Sequence, residues 1–204
     1  MLHAVITGIF AGLSLIVAIG AQNAYVLRQG VLRSRVGAVV AVCAVSDLVL
    51  IFAGVSGVGA LVDRAGVLLD VVRWLGVAFL LWYAFGCLCR ARRSEALFAA
   101  DSSTVAEPAG RVIGRAVALT WLNPHVYIDT VLLLGSIAAT QGDVSGGRWW
   151  FAVGAGIASV VWFNALGFGA TFLAPFLARP RVWQVVEVLI AVTMVLVAAK
   201  LAFG

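Results

Sequence analysis

Charge is what this sequence has least of. Only 11% of its 204 residues are Asp, Glu, Lys or Arg, while 63% are hydrophobic. Soluble domains carry roughly 25% charged residues. So apolar a chain is not disordered, and it has no polar shell to keep a soluble globule in solution. Lysine occurs once, against 13 arginines. The three cysteines, Cys43, Cys87 and Cys89, lie in apolar stretches, and an odd number there is not a disulfide framework. Cys87-Leu88-Cys89 is a single CxC with no second pair, so helix packing is favoured over metal binding. No Walker A, GxGxxG, HExxH or paired CxxC motif is present. ATP hydrolysis, dinucleotide chemistry and zinc proteolysis therefore have no support, and no cofactor is expected.

What the sequence has is long apolar runs. A membrane helix needs about 20 mostly apolar residues to cross roughly 30 Å of hydrocarbon. Six of them would use about 120 residues and leave short links. The runs fall near 4–21, 36–62, 67–89, 112–140, 149–173 and 182–203. The first has no basic flank and no small-residue cleavage site, so it reads as a membrane helix and not a removed signal peptide. Residues 90–111 form the only extended polar stretch. It divides a single transmembrane domain, 1–204, into a first repeat of about 1–89 and a second of about 112–204. Three spans per half make the halves insert with opposite orientation. The expected fold is an all-α integral membrane protein, six transmembrane helices built as two inverted three-helix repeats.

The net charge of +5 follows from arginines in the links, so it reports orientation before it suggests nucleic acid. Links one, three and five hold Arg28, Arg33, Arg35, Arg90, Arg92, Arg93, Arg111, Arg115, Arg179 and Arg181. The other side holds Arg64, Arg73, Arg148 and Lys200. Ten against four places the odd links in the cytoplasm and both termini outside.

Polar residues inside the runs are the informative ones. Asp47 has apolar flanks on both sides. An Asp at the centre of a membrane helix costs about 2.5–3.5 kcal/mol on the insertion scale, so such acids usually lie on ion or substrate paths. A carboxylate bonded to a neighbouring helix is the plain alternative. Asn123-Pro124 interrupts the fourth run. A proline there removes a donor and frees a carbonyl, which helix neighbours, water or a ligand must satisfy. His125 and Asp129 stand four apart and share a face. They suit a proton relay; metal and enzyme roles lack accompanying ligands or a nucleophile. Glu187 lies early in the sixth run, near Arg179 and Arg181. An interfacial ion pair and a cavity role are its two readings. Gly8 and Gly12 form a GxxxG helix-packing signal. Gly20-Ala21-Gln22-Asn23-Ala24-Tyr25-Val26-Leu27 can be laid against Thr120-Trp121-Leu122-Asn123-Pro124-His125-Val126-Tyr127. Either the first helix is broken and continues past Asn23, or the match is coincidence. Intramembrane acids with no basic residue deep in the bilayer suit a cationic or zwitterionic solute, or protons.

These motifs also carry a resemblance. Gly20 to Gly30, reading GAQNAYVLRQG, resembles the N-terminal signature of the LysE-type amino-acid exporters. Ser46-Asp47-Leu48-Val49-Leu50 resembles that family's second helix, and Thr120 to Thr130, reading TWLNPHVYIDT, its fourth. The combination is most similar to the lysine/arginine branch. The resemblance implies a bacterial inner-membrane secondary exporter of L-lysine and L-arginine, driven by protons or membrane potential, with two inverted repeats and a homodimer. It carries Gln22, Asn23, Asp47, Asn123, Pro124 and Asp129 into the substrate or coupling region. Readings that compete are export of neutral amino acids or small amines, a solute channel, an intramembrane enzyme and a structural subunit.

Overall fold

A computed structural model describes residues 1–17, 20–58, 66–92, 107–123, 126–141, 146–177 and 180–203. Among them every element is helical. The first half comprises α1 (Leu2–Ile16), α2 (Ala21–Val31), α3 (Val36–Ala53), a π-helical turn π1 (Gly54–Val58) and α4 (Gly66–Arg92). The second comprises α5 (Ala109–Trp121), a π-helical stretch π2 (Tyr127–Leu133), α6 (Leu134–Ala139), α7 (Gly147–Leu177) and α8 (Pro180–Phe203).

Among the described residues, three helical stretches are long and apolar enough to cross a membrane: Val36–Gly57, Gly147–Pro175 and Gln184–Phe203. A fourth crossing is available if α1 and α2, bent by 82°, act as one span. Two other apolar stretches, Arg73–Cys89 and Asp129–Ala139, are shorter. The expected six spans are thus present in part among the described residues.

The first run departs most from the sequence expectation. It does not stop near residue 21. The helix breaks after Ile16, restarts with Gly20 in an extended N-cap conformation, and continues past Asn23 to Val31. No proline marks this break. The fourth run breaks where Asn123-Pro124 predicts, because the residue before a proline is pushed out of the α region.

Each break leaves a helix-end carbonyl that a side chain from beyond the break satisfies, as a low-dielectric interior requires. The Asn23 amide nitrogen donates to the Ile16 carbonyl at 2.6 Å. The Tyr127 hydroxyl donates to the Trp121 carbonyl at 2.9 Å.

Small residues bring the long helices together, as in other membrane bundles. A methyl on Gly8 would overlap the Phe151 carbonyl, and one on Gly154 the Val5 carbonyl, so α1 and α7 pack backbone to backbone. The main core joins Tyr25, Val39, Leu80, Tyr83, Leu119, Phe163 and Met194 across both halves. Outward, Trp74, Trp82, Phe85, Phe172, Leu189 and Leu196 are exposed, an apolar surface suited to lipid. α7 packs on α1, α2 and α3; α5 packs on α3 and α2; α4 packs on α8; and α6 packs on π1, α7 and α1.

The approach of π1 to π2 supports a prediction. A methyl on Gly54 would stand 2.6 Å from the Val131 carbonyl oxygen and 2.9 Å from that of Thr130. Overpacking of this kind costs about 1–3 kcal/mol. Gly54→Ala should therefore lower the thermal unfolding midpoint of the detergent-solubilised protein. An unchanged midpoint would mean that π2 yields at no cost.

Candidate functional site

The two helix breaks face each other across one cavity of about 280 Å³. Its size suits a small metabolite rather than a polymer. From the first half come Leu15 and Ile16 at the end of α1, Gly20, Gln22 and Asn23 at the restart, and Asp47 from the middle of α3. From the second come Asn123 and Val126 at the break, then Asp129 and Thr130 on π2. Phe163 of α7 and Val197 and Lys200 of α8 complete the wall.

Asp47 is buried and accepts a hydrogen bond from the Ser159 hydroxyl at 3.0 Å. Next to it, Ser46 accepts from the Trp121 indole N–H at 3.1 Å, tying α3 to the end of α5. Asn23 is held at both ends: its amide nitrogen bonds the Ile16 carbonyl, and its oxygen accepts from the Trp162 indole at 3.3 Å. Its geometry splices the broken helix and leaves the side chain at the cavity wall.

Gln22 is different. It lies close to Asp47 and Cys43. Its amide nitrogen is nonetheless buried with no hydrogen bond of standard geometry. A buried donor without a partner beside a cavity is a group that a ligand oxygen can satisfy.

The structure thus gathers Gln22, Asn23, Asp47, Asn123 and Asp129 around one space. Pro124 and His125 lie outside the described residues, and with them the His125–Asp129 pairing. Glu187 lies elsewhere. It pairs with Arg28, whose Nε donates to Glu187 Oε1 at 3.0 Å; the side chains of Arg179 and Arg181 lie outside the described residues. The sequence reading placed Arg28 in link one. It belongs to α2 and is buried, because that helix runs ten residues further than the expected span.

Ser159, Trp162, Thr130 and Lys200 were not singled out by the sequence reading. Ser159, Trp162 and Phe163 follow i, i+3, i+4 spacing and so share a face of α7, a pattern that could have revealed them. Lys200 was assigned to orientation alone. It is exposed near the end of α8 and also lines the cavity.

Apolar helices of membrane length around a charged, solute-sized cavity define a multi-helix membrane protein with an internal cavity. The family profile described as LysE type translocator matches residues 13–204. The chain belongs to this family, as its three motifs indicated. It is 41% identical to the lysine exporter LysE of Corynebacterium diphtheriae, over 96% of this chain and 97% of the relative. It is 41% identical to the arginine exporter protein ArgO of Pectobacterium carotovorum, covering 96% of this chain and 94% of that one. The ArgO of Yersinia enterocolitica is 43% identical, over 99% of this chain and 97% of its own length. No solved structure matches the chain.

Proposed function

We propose that this protein is a secondary exporter of basic L-amino acids, lysine and arginine, in the bacterial inner membrane. The observation that carries the reading is the charge of the cavity. Asp47, Asp129 and Lys200 line it together. Two acids and one base sum to −1, which complements the +1 of a dibasic amino acid. Lys200 faces the α-carboxylate, the acids face the two cationic groups, and Gln22 donates to a carboxylate oxygen. A neutral amino acid leaves one acid without a partner, and an unpaired charge in a low-dielectric site is unfavourable. The names of the relatives point the same way.

The pairing of elements supports two inverted repeats. Exchanging the halves turns α1 on α7 into α5 on α3, and α2 on α5 into α6 on α1. With Arg28 removed, the count of basic residues is nine against four and still favours the odd links in the cytoplasm. Rocking of the repeats exposes the cavity to each side in turn. Moving one positive charge outward works against roughly 2.3 kcal/mol per 100 mV of inside-negative potential. Inward protons, carried by Asp47 or Asp129, supply the opposing drive. The protein works as a homodimer.

Counterflow tests this reading. Vesicles reconstituted with the purified protein and loaded with unlabelled arginine are offered labelled arginine, lysine or threonine. Accumulation of arginine and lysine but not threonine is the expected result. Accumulation of threonine instead moves the protein to neutral amino acids. Flux without counterflow makes it a channel.

A further inference from the structure

Away from the cavity, one charged pair is sealed between the halves. The Arg28 and Glu187 side chains are 8% and 0% exposed. Arg28 lies on α2, five residues beyond Asn23, and so about 8 Å along the helix from the cavity. Glu187 lies on α8, thirteen residues before Lys200 and about 20 Å from it. The pair is therefore set back from the cavity, on the side away from Lys200. The same seam contains Tyr25, which donates to the Val112 carbonyl at 3.0 Å and meets Tyr83 edge-on at 5.9 Å between ring centres. α2 and α4 of the first half are thus closed against α5 and α8 of the second.

Two features set this seam apart from ordinary packing. A buried ion pair costs more to desolvate than it commonly returns. Beside it, both polar atoms of the buried Gln29 amide lack a hydrogen bond of standard geometry, although Tyr25 is close by. A static seam would satisfy them.

We propose that Arg28 stands in for the cationic end of the substrate, and that Glu187 is a specificity-determining residue of the cytoplasmic gate. The inference rests on the exporter reading and its orientation. In the empty carrier, the Arg28 guanidinium holds Glu187 and keeps the gate shut. An incoming arginine or lysine presents the same kind of cation on a flexible stem. It replaces Arg28 at Glu187 without ever leaving the carboxylate unpaired, so the gate opens at little cost. A neutral amino acid offers only an ammonium carried next to its own carboxylate, which Glu187 repels. The gate therefore selects for a dibasic solute before the cavity does.

Cys87 provides the reporter. It is fully buried on α4, within electrostatic reach of Arg28. With Cys43→Ser and Cys89→Ser, it becomes the single thiol. Inside-out vesicles are treated with a membrane-impermeant maleimide. Arginine should accelerate labelling of Cys87 by about fivefold or more, a typical allosteric coupling, and threonine should leave it unchanged. Arg28→Gln and Glu187→Gln should each label fast without substrate and lose the response to arginine. Labelling that ignores arginine, or that threonine accelerates equally, overturns the proposal. If neither variant folds, the arginine–threonine comparison with Arg28 and Glu187 intact decides alone. Arginine counterflow is measured on the same preparation. Counterflow with unresponsive labelling overturns the gate and leaves the exporter, whereas absent counterflow overturns the exporter reading itself.

Discussion

An Asp47→Asn variant should insert and fold like its parent yet lose arginine counterflow by at least about thirtyfold. That factor corresponds to roughly 2 kcal/mol, the lower end for truncating a buried, hydrogen-bonded charge pair. Asparagine matches aspartate in size. Its side-chain oxygen can still accept from Ser159, which holds Asp47 at 3.0 Å. Packing between α3 and α7 is then preserved, and what disappears is the negative charge and the capacity to bind a proton. The comparison with Ser159→Ala sharpens the test. That change removes the hydrogen bond and keeps the charge, so it should shift arginine KM more than the maximal rate. Wild-type counterflow by Asp47→Asn, in protein with an unchanged elution profile, would make the carboxylate a structural ligand of Ser159 and nothing more.

The polar lining of the cavity was largely legible in the sequence, for a physical reason. Hydrocarbon makes every Asp, Asn and Gln within a span expensive, so each one kept there stands out against its flanks. Asp47, Asn123 and Asp129 stand out in that way, Gln22 and Asn23 come from the motif that resembles the exporter signature, and the structure brings all five to one space. What escaped were features that depend on where a helix breaks. Asn123-Pro124 announces its break, but the one after Ile16 lies in an apolar Val-Ala-Ile-Gly stretch with no proline. The motif alignment offers a broken first helix continuing past Asn23 as one of two readings, but the arginine count treats the same residues as a link. Arg28 was then counted as an interfacial charge, when its partner stands 159 residues away. Lys200 is exposed in the last turn of α8 and lines the cavity as well: a cation near a span end carries an orientation signal whether or not it also faces a cavity. Of the six expected spans, three are clear among the described residues, and a fourth if the bent α1–α2 pair counts as one.

Removing one partner of the Arg28–Glu187 pair should destabilise the protein by about 3–5 kcal/mol, since an uncompensated charge is left buried. Arg28→Ala and Glu187→Ala should both show it as a large drop in the detergent unfolding midpoint. Arg28→Met with Glu187→Leu should recover most of the loss, because well-packed apolar replacements of a buried pair are often neutral or stabilising. The double variant then separates two roles that a single deletion confounds. If the pair only glues α2 to α8, a stable double variant transports as well as the parent and keeps its preference for arginine over threonine. If the pair is the gate proposed above, the double variant is stable but indifferent. Its cytoplasmic side no longer distinguishes a dibasic solute from a neutral one, and its Cys87 labelling no longer responds to arginine. Stability recovered without selectivity would mean that the buried charge is retained for recognition, in a seam that could have been built from leucine and methionine.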